Sequence, residues 1–381
     1  MKPTSRIVFI DYIRVIACLM VLLVHACEMY YCTTAPDGSP GWYTRVSSES
    51  ERLWVALYDG FCRMSVPLFM IVSAYLLVPM RDGQDMLGFY LKRAKRILPA
   101  FAFFMVAYCI VPYLLGAMDF ETAYNDLVHL PFNFPSWAGH LWFIYPLIGL
   151  YLFIPIISPW LAEASARDER IFIALFAVST CVPMLTRAVG YVWGECLWNQ
   201  FGMLWYFSGF IGYLVLAHYI RVHLDWTSTR RLVVGSICVV LGAIPTILAF
   251  YLMVPPETYV YTGDAEIAWG FCSPNVLLMT FGAFMLFSCI RRLEVPRVIL
   301  GVSDLTYGIY LMHLLVLPFL AGYLKSFGIS PAVTIPLIAV GTFLICWGIA
   351  SLLRLLPFGH HIIGCSKAPA RQTEHLRTRV Q

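Results

Sequence analysis

The sequence predicts an all-α polytopic membrane protein with about ten transmembrane helices. Apolar residues make up 60% of the 381 positions, charged residues only 13%, and the mean hydropathy is +0.74. So few polar groups cannot cover the surface of a soluble protein. The apolar residues also fall into runs long enough to cross a bilayer core, which takes roughly 20 helical residues.

Ten apolar runs of spanning length follow one another along the chain, with polar loops between them. They lie at residues 7–29, 57–79, 97–117, 140–160, 171–189, 201–220, 232–254, 273–290, 299–320 and 332–356. We expect residues 1–359 to form one transmembrane domain. Residues 360–381 are predicted to be a basic cytoplasmic tail that lies on the anionic inner leaflet and contacts membrane lipids.

The loops differ in their basic content, and this difference predicts the orientation. If the N-terminus is cytoplasmic, twenty Lys and Arg residues lie on the inner side. Five lie on the outer side, namely Arg45, Arg52, Arg63, Arg187 and Lys325. Because basic residues accumulate in cytoplasmic loops, both termini are predicted to be cytoplasmic. The net charge of +4 does not indicate nucleic-acid binding, since the basic residues sit in short loops between apolar runs.

Three polar residues in the first span share one helix face. At about 100° per residue, Arg14 lies about 60° from Asp11 and His25 lies about 20° from Arg14. Charged groups inside a membrane span are costly and usually serve a function in the protein interior. The face therefore indicates one wall of a polar route through the membrane.

Several reaction classes lack their sequence signals. There is no Gly-rich phosphate loop, no G-x-S-x-G turn, no metal-spaced Cys/His pair and no dinucleotide fingerprint. We therefore expect no metal cofactor. The outer loops 118–139 and 255–272 carry no Lys or Arg and are rich in acidic and aromatic residues. Such loops suit stacking against sugars, although an interfacial aromatic belt explains them equally well.

Four segments together resemble the membrane acyltransferase-3 family, and a weaker fifth adds to the likeness. The segments are Arg14-x10-His25, residues 66–77 (VPLFMIVSAYLL), 93–99 (RAKRILP), 303–313 (SDLTYGIYLMH) and 140–143 (HLWF). Ala74 stands where the family usually has Gly. The resemblance covers nearly the whole chain. It implies a ten-span bacterial inner-membrane O-acyltransferase, in the simplest case an O-acetyltransferase, that modifies a lipid-linked or surface carbohydrate.

The predicted donor site is Arg93 and Arg96 at the inner face. They are three residues apart on a helix, so both guanidinium groups point the same way. Guanidinium groups match phosphate oxygens in pairs, as acetyl-CoA or another acyl-CoA requires. A cluster that contacts only lipid head groups is the alternative.

His25 is the predicted catalytic base, assisted by Arg14 and Asp11, because a neutral imidazole can take the proton of a sugar hydroxyl. Arg14 either holds an anionic part of the donor or pairs with Asp11. Predicted substrate contacts are His140, Trp142, His313 and Tyr307. For His313 a packing or hydrogen-bonding role is equally plausible, and for His140 an interface anchor is the alternative. Asp304 and Thr306 are expected to cap the ninth span, and His218 and His223 to have no catalytic part.

The competing class of function is transport, with the polar residues as the path of a glycan exporter or flippase. A transporter predicts inverted repeats with broken helices in paired positions, and no such symmetry is apparent in the sequence. A sensor or scaffold without turnover is disfavoured by the number of ionisable groups inside spans.

Overall fold

A computed structural model of the chain describes residues 7–33, 35–37, 43–81, 83–190, 192, 202–290 and 295–365. The helices of these residues are α1 (Val8–Tyr31), α2 (Glu49–Cys62), α3 (Ser65–Leu77), α4 (Met86–Leu114), α5 (Phe120–His129), α6 (Ile144–Glu163), α7 (Ala166–Ser179), α8 (Val182–Val189), α9 (Ile211–Val222), α10 (Ser228–Met253), α11 (Thr262–Ala265), α12 (Pro274–Phe287), α13 (Arg297–Met312), α14 (Leu317–Lys325), α15 (Pro331–Leu353) and α16 (Gly359–Ile362). Short 3-10 segments lie at Ser136–Phe143, Gly202–Phe207 and His313–Leu315.

This architecture confirms an all-α polytopic membrane protein. In the described part of the chain, eight helical stretches are long and apolar enough to cross a membrane. The predicted spans at 201–220 and 273–290 contain the shorter apolar helices α9 and α12, of 12 and 14 residues. At about 1.5 Å per residue these two helices are shorter than a bilayer core.

Several helices begin at a side chain that caps the free amides of the first turn. Ser48, Asp85, Asp119, Ser165 and Thr227 each accept a hydrogen bond from the backbone N–H three residues later. At Ser165 the carboxylate of Asp168 also accepts from the Ser165 amide, which completes a capping box. Because Asp85 caps α4, that helix begins eleven residues before the predicted span at 97–117 and carries Arg93 and Arg96 as helical residues.

Helix α1 lies at the centre of the bundle and packs against α2, α3, α13 and α15. Helix α10 stays largely exposed and packs most closely against α12. A Cβ added at Gly242 would lie 2.4 Å from the carbonyl oxygen of Asn275, so only glycine permits this approach. Close packing through small residues is how helices associate in a membrane.

Three predicted spans are interrupted in the structure. The span at 57–79 is divided between α2 and α3 at Arg63 and Met64, and the span at 299–320 is interrupted at His313–Leu315. The fourth span opens with the 3-10 segment that contains His140. Irregular backbone at membrane depth is tolerated where it is buried in protein or lines a cavity, and these breaks carry polar side chains.

One end of the bundle holds His25 and the other holds Arg14, and we call them the outer end and the inner end after the predicted orientation. A small antiparallel sheet crosses the outer end, with β1 (Cys32–Thr33), β2 (Tyr43–Thr44) and β3 (Val260–Tyr261) in that order. All five predicted outer basic residues have partners at this end: Arg45 with Glu257, Arg52 with Glu49, Arg63 with Asp59, Arg187 with Asp264, and Lys325 with the Met29 carbonyl.

At the inner end, Arg221 of α9 donates to the carbonyl oxygens of Tyr75, at 2.7 Å, and Val78. It thereby binds the last turn of α3, where free carbonyls attract a cation. The first residues of the predicted tail pack against the bundle, with Ile363 fully buried. The rest of the tail, 366–381, lies outside the described residues, as do the basic residues Lys2, Arg6, Arg291 and Arg292.

Candidate active site

A cavity of about 160 Å³ at the inner end brings together the predicted donor residues. Arg14 of α1, Arg93 and Arg96 of α4, and Tyr307 of α13 all line it. The two arginines of α4 face the same cavity because they are three residues apart, as the sequence predicts. Tyr307 lies here, with its hydroxyl donating to the Ile97 carbonyl at 3.2 Å, and not in the cavity beside His25.

Asp304 also lines this inner cavity, which corrects its expected role as a helix cap. Helix α13 begins at Arg297, so Asp304 and Thr306 lie two turns inside it. The cavity wall then carries three arginines and one aspartate, a net charge of +2 from these groups. A positive, partly enclosed wall of guanidinium groups is suited to phosphate oxygens.

Asp11 is buried beside this cavity and has a partner from another helix. Its Oδ1 accepts a hydrogen bond of 2.7 Å from Ser303 Oγ of α13. The side chain of Asp11 is 1% exposed. Asp11 therefore joins α1 to α13, one helical turn before Arg14. In this position it supports the residues of both helices that line the cavity.

A second cavity, of about 190 Å³, lies at the outer end and contains the predicted base. His25, His140 and Trp142 line it. The same wall carries Glu28, Arg63, Ser65 and Glu266, none of which the sequence analysis singled out as a site residue. This cavity therefore combines an imidazole, charged groups and aromatic rings within one enclosure.

His25 belongs to a cluster of three histidines from three helical segments. The His25 ring centroid lies 5.0 Å from that of His313 and 6.2 Å from that of His140. The His140 and His313 centroids are 4.6 Å apart. His25 Nδ1 lies 2.6 Å from Glu28 Oε2. Since an ionised carboxylate only accepts hydrogen bonds, Nδ1 donates and Nε2 is left as the basic nitrogen.

The other two histidines are held by backbone carbonyls. His140 Nε2 donates to the Leu311 carbonyl at 3.2 Å, and His313 Nδ1 donates to the Tyr310 carbonyl at 2.5 Å. The opposite nitrogen of each ring is buried without a hydrogen-bond partner in the part of the chain that the structure describes. His140 lines the outer cavity, whereas His313 is fully buried behind it, which favours the hydrogen-bonding role for His313.

Arg63 is the centre of a buried polar network at the break between α2 and α3. Its Nε lies 2.6 Å from Asp59 Oδ1, and one Nη lies 3.6 Å from Glu266 Oε1. The guanidinium carbon stands 4.2 Å from the Trp269 ring centroid, a cation–π contact. Burial raises the pKa of the Glu266 carboxyl above its usual value, and the nearby Arg63 opposes that rise.

An aromatic pair forms another part of the outer cavity. Trp142 and Phe271 are stacked, with centroids 5.5 Å apart and an interplanar angle of 19°. Phe271 belongs to the outer loop 255–272, so the prediction of an aromatic surface in that loop has a defined place beside the cavity. The other predicted aromatic loop, 118–139, forms α5 and its flanks, and none of its residues lines the outer cavity.

Phe143 and Tyr310 line both cavities and therefore separate them. Their ring centroids lie 5.7 Å apart at 71°, and the Tyr310 hydroxyl donates to the His140 carbonyl. Arg14 and His25, on opposite sides of this wall, are eleven residues apart on α1, about 16 Å along the helix axis. The two cavities thus follow one another along the polar face of α1.

Two of the cavity residues that the sequence analysis missed, Glu28 and Arg63, could have been found from their spacing. Glu28 follows His25 by three residues and Arg63 follows Asp59 by four, which are the spacings of neighbours on a helix. Glu266 carries no comparable signal, because it reaches the site from a loop more than 200 residues away from Arg63 in sequence.

Comparison with known proteins identifies the family of this chain. The sequence profile of acyltransferase family 3, described as an acyltransferase domain, matches residues 7–351. "Putative acetyltransferase ORF330" of Acidianus two-tailed virus is 25% identical over 299 residues, which cover 72% of this chain and 79% of the viral protein. No solved structure matches the chain. The chain, with its two cavities along a polar helix face, belongs to the acyltransferase-3 family of membrane proteins.

Proposed function

We propose that this protein is a bacterial inner-membrane O-acyltransferase. It takes an acyl group, in the simplest case acetyl, from cytoplasmic acyl-CoA and transfers it to a sugar hydroxyl of a lipid-linked or surface glycan. The observation that supports this most is the common wall of Phe143 and Tyr310 between an arginine-lined cavity and a histidine-lined cavity. Two cavities of different chemistry that meet at one wall suit two substrates that react with each other.

The donor binds at the inner cavity in this proposal. Arg93 and Arg96 hold phosphate groups of CoA, because guanidinium groups bind phosphate oxygens in pairs. Arg14 lines the same cavity and contacts an anionic or carbonyl oxygen of the donor. The pantetheine arm then extends along α1 to Phe143, and displacement of this ring brings the thioester toward His25.

The acceptor binds at the outer cavity. Its hydroxyl group gives its proton to Nε2 of His25 while its oxygen attacks the thioester carbonyl carbon. The carbon–sulfur bond breaks, the CoA sulfur leaves as a thiolate, and the proton held by His25 returns to that sulfur. The products are the O-acylated sugar and free CoA. Glu28 holds His25 in the required tautomer through Nδ1.

The test compares His25→Ala with His129→Ala in purified protein supplied with labelled acetyl-CoA and candidate glycan acceptors. His129 is an exposed residue of α5 and serves as the matched histidine control. General-base assistance contributes about 10²–10⁴ in rate, so we expect a kcat loss of that size in His25→Ala with KM for acetyl-CoA nearly unchanged.

A His25→Ala protein that is folded and transfers acyl groups at the wild-type rate would contradict the assigned base, and His140 would be tested next. The transport alternative is separated by a second measurement. Wild-type protein in vesicles that moves a labelled lipid-linked glycan across the bilayer, without consuming acetyl-CoA, would contradict the proposed enzyme.

A further inference from the structure

Two helices at the inner end bring a carboxylate and two imidazoles together, away from both cavities of the proposed transfer. Glu169 lies in the first turn of α7, His218 in α9 and His223 directly after α9. Glu169 Oε1 lies 2.9 Å from His218 Nδ1 and 2.9 Å from His223 Nε2. The three ligand atoms all lie within 4.8 Å of one another.

Hydrogen bonds alone leave this cluster incompletely satisfied. Each neutral imidazole can donate one N–H to the carboxylate, and both point at the same oxygen, Oε1. The other oxygen, Oε2, is buried and has no hydrogen-bond partner within the described ranges. Glu169 is 0% exposed and His218 is 4% exposed. A buried carboxylate with one unsatisfied oxygen is costly unless a cation compensates its charge.

We propose that Glu169, His218 and His223 bind a divalent transition-metal cation, with Zn²⁺ as the preferred ion. Zinc takes imidazole nitrogens and carboxylate oxygens at about 2.0–2.2 Å, which separates neighbouring tetrahedral ligand atoms by about 3.3 Å. The two 2.9 Å separations in the structure need to widen by only about 0.4 Å, and the two imidazole nitrogens lie within 4.8 Å of each other. Imidazole ligands favour Zn²⁺ over Mg²⁺ and Ca²⁺, which take oxygen.

The position of His223 makes the site reachable. Its side chain is 21% exposed, whereas the other two ligands are buried, so an ion can enter from the His223 side. The bound ion completes its coordination with Glu169 Oε2 or with solvent from that side. A metal here departs from the expectation of no metal that the sequence supports. The sequence does not reveal the site, because Glu169 lies 49 and 54 residues from the two histidines and no local spacing joins them.

A metal at this place would fasten α7 to α9. Helix α9 packs against α3, and its Arg221 binds the carbonyl end of α3. Ser73, Leu76 and Leu77 of α3 line the inner cavity. The ion would therefore stabilise a helix pair that supports one wall of that cavity, without contacting it.

The experiment uses the full chain in detergent, purified with a tag that contains no histidine, and Co²⁺ and Zn²⁺ as probes. We expect one equivalent of Co²⁺ per chain with ligand-field absorption of a site containing nitrogen ligands, and displacement of Co²⁺ by Zn²⁺. We also expect Zn²⁺ to raise the Tm, because a ligand that binds only the folded state stabilises it.

The test variants are Glu169→Gln, His218→Ala and His223→Gln, and His129→Ala is the matched control. Loss of a hydrogen-bond partner of a ligand costs about 10–100-fold in metal affinity, so loss of a ligand itself should weaken binding by more than that. His129→Ala and His25→Ala should bind Co²⁺ like the wild type, which separates this site from the histidine cluster at the outer cavity.

Wild-type protein that binds no Co²⁺ and shows no Zn²⁺-dependent Tm shift would overturn the proposal. So would an unchanged Co²⁺ spectrum in His218→Ala, since the ion would then lie elsewhere. His223→Gln covers the case in which a buried substitution prevents folding, because His223 is partly exposed and Gln retains polar character. These readouts measure metal alone, so their failure leaves the proposed acyl transfer unaffected.

Discussion

Nδ1 of His25 lies 2.6 Å from Oε2 of Glu28, one helical turn further along α1. The pair is 14% and 28% exposed, so it stands at the cavity wall and is partly shielded from solvent. A carboxylate in this position selects the imidazole tautomer and stabilises the imidazolium that forms when the base takes a proton. This dyad therefore indicates both which residue of the outer cavity acts as the base and which nitrogen of its ring is basic.

Glu28→Gln should lower kcat while leaving KM for acyl-CoA unchanged. Loss of the corresponding carboxylate charge costs about 10⁴ in a fully buried triad, and we expect a smaller loss of roughly 10–100-fold here because Glu28 is partly exposed. Steady-state kinetics of the purified variant measure this. Glu121→Gln on exposed α5 is the control, and an equal loss in both variants would show that the effect is not specific to the dyad.

Arg93→Gln with Arg96→Gln should raise KM for acyl-CoA in the double variant, since both guanidinium groups line the inner cavity. Lys at either position should restore binding only partly, because a point charge does not reproduce paired hydrogen bonds. The matched control is Lys92→Gln with Lys95→Gln, which removes the same charge from exposed residues of the same helix that do not line the cavity. Identical kinetics in the two double variants would assign the arginines to lipid contact.

Phe143→Ala should increase the hydrolysis of acyl-CoA in the absence of a glycan acceptor. Phe143 and Tyr310 form the wall between the cavities, and removing one ring connects the inner cavity to the solvated outer one. Water can then compete for the thioester near His25. Release of CoA thiol without acceptor is the measurement. A hydrolysis rate equal to that of the wild type would mean that the wall does not control access.

Trp142→Ala should raise KM for the glycan acceptor and leave KM for acyl-CoA unchanged. Trp142 stacks on Phe271 and lines the outer cavity. Loss of a stacking contact between its ring and the sugar, of about 0.5–1.5 kcal/mol, would lower the affinity for the acceptor roughly two- to twelvefold. Trp137→Ala is the control, because Trp137 packs on Phe319 and does not line the cavity. An equal change in both variants would indicate a general loss of packing.

The predicted orientation can be tested with topology reporters fused to the loops and to the C-terminus. Fusions should place residues 82–92, 163–170 and the C-terminus in the cytoplasm, and residues 120–138 and 256–270 outside. The physical basis is the twenty-to-five asymmetry of Lys and Arg between the two sides. A C-terminus on the outer side would reverse the assignment of donor and acceptor cavities.

The sequence by itself determined the class of the protein and the polar face of its first helix. Runs of apolar residues identify spans because a bilayer core demands about 20 of them in a row. The regular period of a helix was enough to align Asp11, Arg14 and His25, and to turn Arg93 and Arg96 the same way. The structure places all of these residues at one cavity or the other, or directly beside one, while their catalytic and binding roles stay predictions.

Only the tertiary structure decided which distant residues meet. Ser303 reaches Asp11 across 292 residues, and His140 and His313 join His25 from two other helical segments. The breaks at Arg63 and His313 fall within apolar runs that are long enough to span a membrane. Such breaks are tolerated only where the backbone is buried in protein or lines a cavity, so they depend on how the helices pack. Periodicity describes neighbours within one helix, whereas these contacts depend on how helices pack against each other, which no local pattern encodes.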